Sequence, residues 1–115
     1  MMMDSYNHGD VVVIPFPFID STLAKRRPAV VLSQGNFNLK SGALVCGMLT
    51  SVKTSKWPGD INLKDWSKAG LKKPCHFRMK IFTIDTNLVR EKVGGLSKVD
   101  LEQIQKSFRK QMLGE

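Results

Sequence analysis

Gly9-Asp10-Val11-Val12-Val13-Ile14-Pro15-Phe16-Pro17-Phe18 is the stretch on which the fold turns. Four consecutive β-branched residues crowd a helix, whereas a pleated strand accommodates them. No polar residue alternates with them, so the pattern predicts a strand over residues 11–14, buried on both faces. Pro15 and Pro17 have no N–H to give a ladder and are expected to end it. Outward from this strand, residues 19–27 are polar and basic and suit a loop. Pro28 then takes the first position of a second strand, Ala29-Val30-Val31-Leu32, where a missing N–H is tolerated. Residues 34–42 look like a loop and residues 43–49 like a third strand, in which Gly47 marks a bulge or a close backbone approach. Residues 60–63 suit a short edge strand, and residues 64–69 a single helical turn ended by Gly70. Residues 75–83 alternate as a strand does. Asp85-Thr86-Asn87 is turn chemistry, and residues 89–93 make one more short strand.

The far end of the chain carries the clearest helix. Ser97 and Asp100 have N-cap and N3 spacing, a capping box with Asp in the Glu position. Leu96 and Leu101 occupy the hydrophobic-staple positions around that cap. Leu101, Ile104 and Phe108 follow helical spacing, with Met112 one turn further. Lys106, Arg109 and Lys110 suit the negative end of the helix dipole, and Gly114 can stop it. Short strands followed by one amphipathic helix predict a mainly β (α+β) fold, a small barrel or half-barrel covered by that helix. A chain of 115 residues suits one domain, taken as residues 1–115.

Composition narrows the function. Eighteen Lys and Arg against ten Asp and Glu give a net charge of +8, with a pI near 9.8. Such an excess draws polyanions or an acidic protein partner at long range, although a solubilising surface has the same balance. No apolar run approaches bilayer length, and residues 1–10 lack the basic start and apolar stretch of a secretory signal. A cytoplasmic protein without membrane contact is expected. Cys46 and Cys75 form neither a disulfide framework nor a metal motif. The histidines lack ligand spacing and the acids are scattered, so no metal or other cofactor is expected.

Gly9-Asp10-Val11-Val12, Pro15-Phe16-Pro17-Phe18 and Lys25-Arg26-Arg27-Pro28-Ala29-Val30-Val31-Leu32-Ser33 resemble the N-terminal signature of PemK/MazF-type toxins. Leu49-Thr50-Ser51 is similar to the strand-end Thr-Ser of that family. Gly70-Leu71 with Pro74, the run Arg78-Met79-Lys80-Ile81-Phe82-Thr83-Ile84-Asp85, and Val93-Gly94-Gly95-Leu96-Ser97 follow in family order. The resemblance implies an SH3-like barrel, a homodimer, and sequence-selective cleavage of single-stranded mRNA. It also implies inhibition by an acidic antitoxin, with DNA contacted only through that antitoxin. It carries over Arg27 and Thr50 as catalytic residues, with Ser51, Arg78, Lys25 and Arg26 on the RNA. Some relatives have a carboxylate near the position of Met79; this chain has none there, and their acid–base assignment does not transfer.

The residues suit that chemistry on their own terms. RNA carries its own nucleophile, the 2′-hydroxyl, so an enzyme needs to align it, neutralise a phosphorane and move protons. The products are a 2′,3′-cyclic phosphate and a 5′-hydroxyl. Arg27 offers a planar fork for two phosphate oxygens; a surface arginine before a strand is the plainer reading. Thr50 and Ser51 offer hydroxyls to orient the scissile group, though such hydroxyls also bond nearby backbone. Neither Arg nor Thr is a comfortable base near neutrality. His76 and Asp20 are the candidates for acid–base work, and His76 and Arg78 can share a strand face while Cys75 points away. His8 lies near a terminus expected to be mobile and is set aside. Trp57, Trp66 and Phe37, in loop-like stretches near Lys53, Lys56 and Lys68, suit either stacked bases or plain cover for the barrel edge. Two other readings stay open, a non-catalytic SH3-like module for RNA or peptide and a topoisomerase-poisoning toxin of the same fold.

Overall fold

The computed structural model describes residues 5–16, 25–52 and 57–115. The β-rich patterning resolves into six strands: β1 (Asp10–Phe16), β2 (Lys25–Val31), β3 (Ala43–Ser51), β4 (Ile61–Asn62), β5 (Cys75–Asp85) and β6 (Glu91–Gly95). They pair antiparallel in the order β4-β5-β3-β2-β1-β6 and curl into a half-barrel. Strand alternation splits the apolar residues between two packed faces. Val12, Ile14, Ala29, Val31, Leu44, Cys46 and Met48 share one. Val11, Val30, Leu49 and Phe77 share the other, which packs with Leu63, Ala69 and Ile104. Ile104 belongs to α2 (Lys98–Phe108), which continues through a π-helical turn (Arg109–Leu113) to Gly114 at φ +74°.

Both proline expectations need correcting, for one reason. β1 runs through Pro15 to Phe16, and β2 begins at Lys25, so Pro28 lies inside the strand and residues 25–27 are not loop. Arg90 N–H donates to Val13 C=O, so Val13 and Pro15 turn their backbone groups toward β6. The β6 ladder stops at Val13, and Pro15 therefore leaves no bond unmade. Leu32 N–H donates to Val45 C=O, so Leu32, Val30 and Pro28 face β3. The last β2–β3 rung is Ala29–Met48, immediately before Pro28. A ring without an N–H thus sits where each ladder ends.

Residues 34–42, read as loop, contain a short helix, α1 (Gly35–Ser41). Its glycine, asparagines and serine are weak helix formers, and tertiary bonds override them. Asn38 is buried and donates to Tyr6 C=O at 2.9 Å and Ser33 C=O at 3.2 Å. Gly47 combines both anticipated features. A Cβ there would meet Phe77 Cε1 at 2.2 Å, and the β3–β5 register shifts beside it, leaving Met79 and Lys80 of β5 without rungs. The turn after β4 has one helical bond, Ala69 N–H to Asp65 C=O, and the last strand lies at 91–95 rather than 89–93. Met112 does not join the core: it is exposed, as is Leu113.

Half of the expected capping box is present. Ser97 Oγ accepts from Asp100 N–H at 3.2 Å. The Asp100 carboxylate, fully buried, accepts from the N–H groups of Lys64 and Asp65, each at 2.8 Å. One acid therefore fastens the start of α2 to the segment after β4.

Candidate active site

The ends of the ladders place polar residues in a row. His76 of β5 pairs with Thr50 of β3 and with Asn62 of β4. The β2–β3 register, continued two positions past its last rung, sets Arg27 opposite Thr50. Paired residues of antiparallel strands project to one face, so His76, Thr50 and Arg27 lie on the same face, beside the apolar row of Met48, Ala29 and Val12. Arg78, opposite Met48, shares that face. Thr50, His76 and Arg78 are buried, and Arg27 is half-buried. Pro28 ends the ladder between Arg27 and Thr50, so the two strands reach this row without a rung joining them.

Other sequence candidates fall elsewhere. Ser51 pairs with Cys75 and alternates to the opposite face from Thr50. Arg26 pairs with Pro15, also off that face, and is exposed. Lys25 begins β2, next in line beyond these positions. Asp20 lies outside the described residues. His8 is tied down: its Nδ1 is 2.7 Å from Leu32 C=O and its Nε2 is 2.9 Å from Gln105 Nε2. It lines a groove of about 670 Å³ with Leu32, Phe37, Val45, Ile104 and Phe108, which includes none of the polar row. That groove brings only His8 and Arg109 as ionisable groups, fewer than gather at the strand ends.

Asp60, read from sequence only as the start of an edge strand, belongs to this cluster. Trp57-Pro58-Gly59-Asp60 is a β-turn, with Pro at its second position and Gly59 at φ +81° in its third. Asp60 N–H donates to Trp57 C=O at 3.1 Å, and Trp57 N–H donates to Asp60 Oδ2 at 2.9 Å. Arg78 then donates to the same carboxylate, from Nε to Oδ1 at 3.3 Å and from Nη2 to Oδ2 at 3.0 Å. Burial alone would raise the Asp60 pKa. The hydrogen bonds from Arg78 and Trp57 and the nearby positive charge outweigh it and hold the carboxyl below its usual range. The signal available in sequence was the Pro-Gly turn closed by an acid; its long-range partner, eighteen residues on, was not legible.

His76 Nε2 lies 3.4 Å from Asp60 Oδ2 and 3.4 Å from Arg78 Nη2. A guanidinium can only donate, so it suits an unprotonated Nε2; a carboxylate can only accept, so it suits the protonated one. The imidazole has a neighbour for each state, which is what a group that takes and returns a proton needs. Asp60, on the approach to β4, places a carboxylate against both Arg78 and His76. Among the described residues no group of three or more His, Cys, Asp or Glu converges as a metal cage would.

A curled antiparallel sheet with a terminal covering helix is the fold of small SH3-like toxin barrels. Residues 7–112 match the family model of the PemK-like, MazF-like toxins of type II toxin-antitoxin systems, and the chain belongs to that family. No curated protein sequence matches significantly. Among solved structures, MazF from Deinococcus radiodurans is similar at a TM-score of 0.76 and 20% identity, covering 98% of this chain and 100% of that one. A mycobacterial endoribonuclease in complex with its cognate antitoxin gives 0.76 and 14%, covering 96% of each chain. A MazE–MazF complex from Deinococcus radiodurans gives 0.74 and 20%, covering 97% of this chain and 98% of its own. At these identities the likeness establishes the fold.

Proposed function

We propose that this toxin is a sequence-selective endoribonuclease that cuts single-stranded RNA, mRNA above all, without a metal ion. The observation that carries the reading is the row His76–Thr50–Arg27 across three strand ends, with Asp60 and Arg78 behind the imidazole. The 2′-oxygen of the substrate attacks phosphorus, the new P–O2′ bond forms and the P–O5′ bond breaks. His76 takes the 2′-hydroxyl proton, and a proton returns to the departing 5′-oxygen. Arg27 neutralises the phosphorane with its planar fork, and Thr50 orients the phosphate by hydrogen bonding. Lys25 and Arg26 add positive charge along the RNA path, and Ser51 contacts the RNA at the strand end from the opposite face of the sheet. Arg78, with its charge shared by Asp60, borders the phosphate and holds the acid–base pair in place. The products are a 2′,3′-cyclic phosphate and a 5′-hydroxyl.

The toxin acts as a homodimer in the cytoplasm and is restrained by an acidic antitoxin, through which alone it meets DNA. The net charge of +8 supports the acidic partner, as does the presence of antitoxins in the two similar complexes. The test is incubation of the purified protein with single-stranded and structured RNA in EDTA. Site-specific cuts ending in cyclic phosphate are expected, confined to single strands. Cutting of a substrate with 2′-deoxyribose at the scissile nucleotide would overturn the mechanism, and so would strict dependence on magnesium.

A further inference from the structure

We propose that Trp57 is a stacking platform for a nucleobase next to the cleaved phosphate, and that it thereby sets which phosphate reaches Arg27 and Thr50. The inference rests on the RNA-cleaving reading of the same site. Trp57 is 40% exposed while its backbone N–H and C=O are both held by Asp60 across a tight turn. Two cations lie against its ring. The Arg78 guanidinium carbon lies 5.2 Å from the ring centroid and the Lys80 ammonium 4.9 Å. Among the described residues both cation–ring contacts fall on this one ring. Lys80 lies where the β3–β5 register shifts and leaves Met79 and Lys80 without rungs.

An exposed ring beside cations matches single-stranded nucleic acid, in which flat bases alternate with negative phosphates. The ring stacks on a base while Lys80 meets the adjoining phosphate. Continuity with the reacting centre is direct. Asp60 holds the Trp57 backbone, bonds Arg78 and lies 3.4 Å from His76, which pairs with Thr50. A base held on Trp57 is therefore separated from the catalytic row by one carboxylate and one imidazole. Because every base has a π-face, the platform fixes register and affinity, and base identity is read by other groups.

The test uses a short 2′-O-methyl oligonucleotide bearing the sequence cut fastest in a mapped transcript, which cannot be cleaved because its 2′-oxygens are blocked. In a Trp66→Phe background, in which Trp57 is the remaining indole, binding should quench its emission. Trp57→Ala should weaken binding about tenfold and blur the cleavage pattern, while Trp57→Phe retains most of the affinity. Removing the base at one oligonucleotide position should cost the wild-type protein about the same factor and cost Trp57→Ala nothing further. The base-deletion series on wild-type protein needs no variant to fold. RNA cut and bound normally by Trp57→Ala, with unmoved indole emission, would overturn the platform alone. Wild-type protein that neither binds nor cuts RNA would overturn both readings. Quenching by an acidic peptide but not by the oligonucleotide would assign the ring to a protein partner and overturn the platform.

Discussion

Two aspartates, one on each side of the sheet, put the same side chain to different uses. Asp100 accepts two backbone N–H groups, from Lys64 and Asp65, and its own N–H caps on Ser97. Every group it touches belongs to the scaffold. Asp60 accepts one backbone N–H and then a guanidinium, with an imidazole 3.4 Å away. Its partners are themselves charged or able to carry a proton. A carboxylate saturated by backbone amides can only hold chain segments together, whereas one shared among titratable side chains can also set how protons move. The helix-covered side is therefore expected to govern stability and the strand-end side activity.

The largest expected effect tests the first half of that contrast. Asp100→Ala leaves two part-buried amides without their acceptor and should cost about 2–4 kcal/mol in urea unfolding, with unchanged cleavage per folded molecule. Arg27→Ala should do the reverse. It should lower the cleavage rate about a hundredfold or more while the thermal midpoint stays put, and Arg27→Lys should recover only part. Near-normal cleavage by a folded Arg27→Ala protein would move the catalytic charge elsewhere.

Asp60→Asn lies between these extremes and sharpens the comparison most. It keeps a hydrogen-bond acceptor but strips the charge from beneath Arg78, so stability should fall by about 2 kcal/mol. As a positioning change behind His76, it should also lower kcat about tenfold and shift the pH–rate profile, with KM less affected. The wild-type carboxyl titrates below its unfolded value. Its contribution is thus complete above the ordinary carboxylate range and is lost as pH falls through the lowered folded value. The stability gap between wild type and Asp60→Asn should accordingly narrow below about pH 4. A gap that is flat through acid, or a pH–rate profile unmoved by the substitution, would return Asp60 to a purely structural role like that of Asp100.

The last expectation concerns the core between the two regions and touches neither activity nor stability. Burial pushes the Cys46 thiol up to about 12. Folded protein should therefore resist iodoacetamide at mildly alkaline pH about a hundredfold better than denatured protein. Rapid alkylation of folded protein would mean that the sheet opens there.

The terminal helix was legible because its signals are local: Ser97, Asp100 and the spacing of Leu101, Ile104 and Phe108 lie within one short window. The β-branched run of β1 and the alternation of β5 were legible for the same reason. The family-like residues around Arg27 and Thr50 could be picked out from short motifs. What the sequence could not disclose depends on partners distant along the chain. The helix at residues 35–41 exists because Asn38 meets Tyr6 across the fold, against its own propensities. Pro15 and Pro28 lie within strands because neighbouring ladders happen to stop beside them, a matter of register and not of composition. Asp60 became part of the site only when β4 was laid against β5, bringing its carboxylate to Arg78 and His76. Local patterning determined which segments became strands and the last helix. Tertiary pairing decided which acid stands beside which base, because a strand specifies its own faces but not its neighbour.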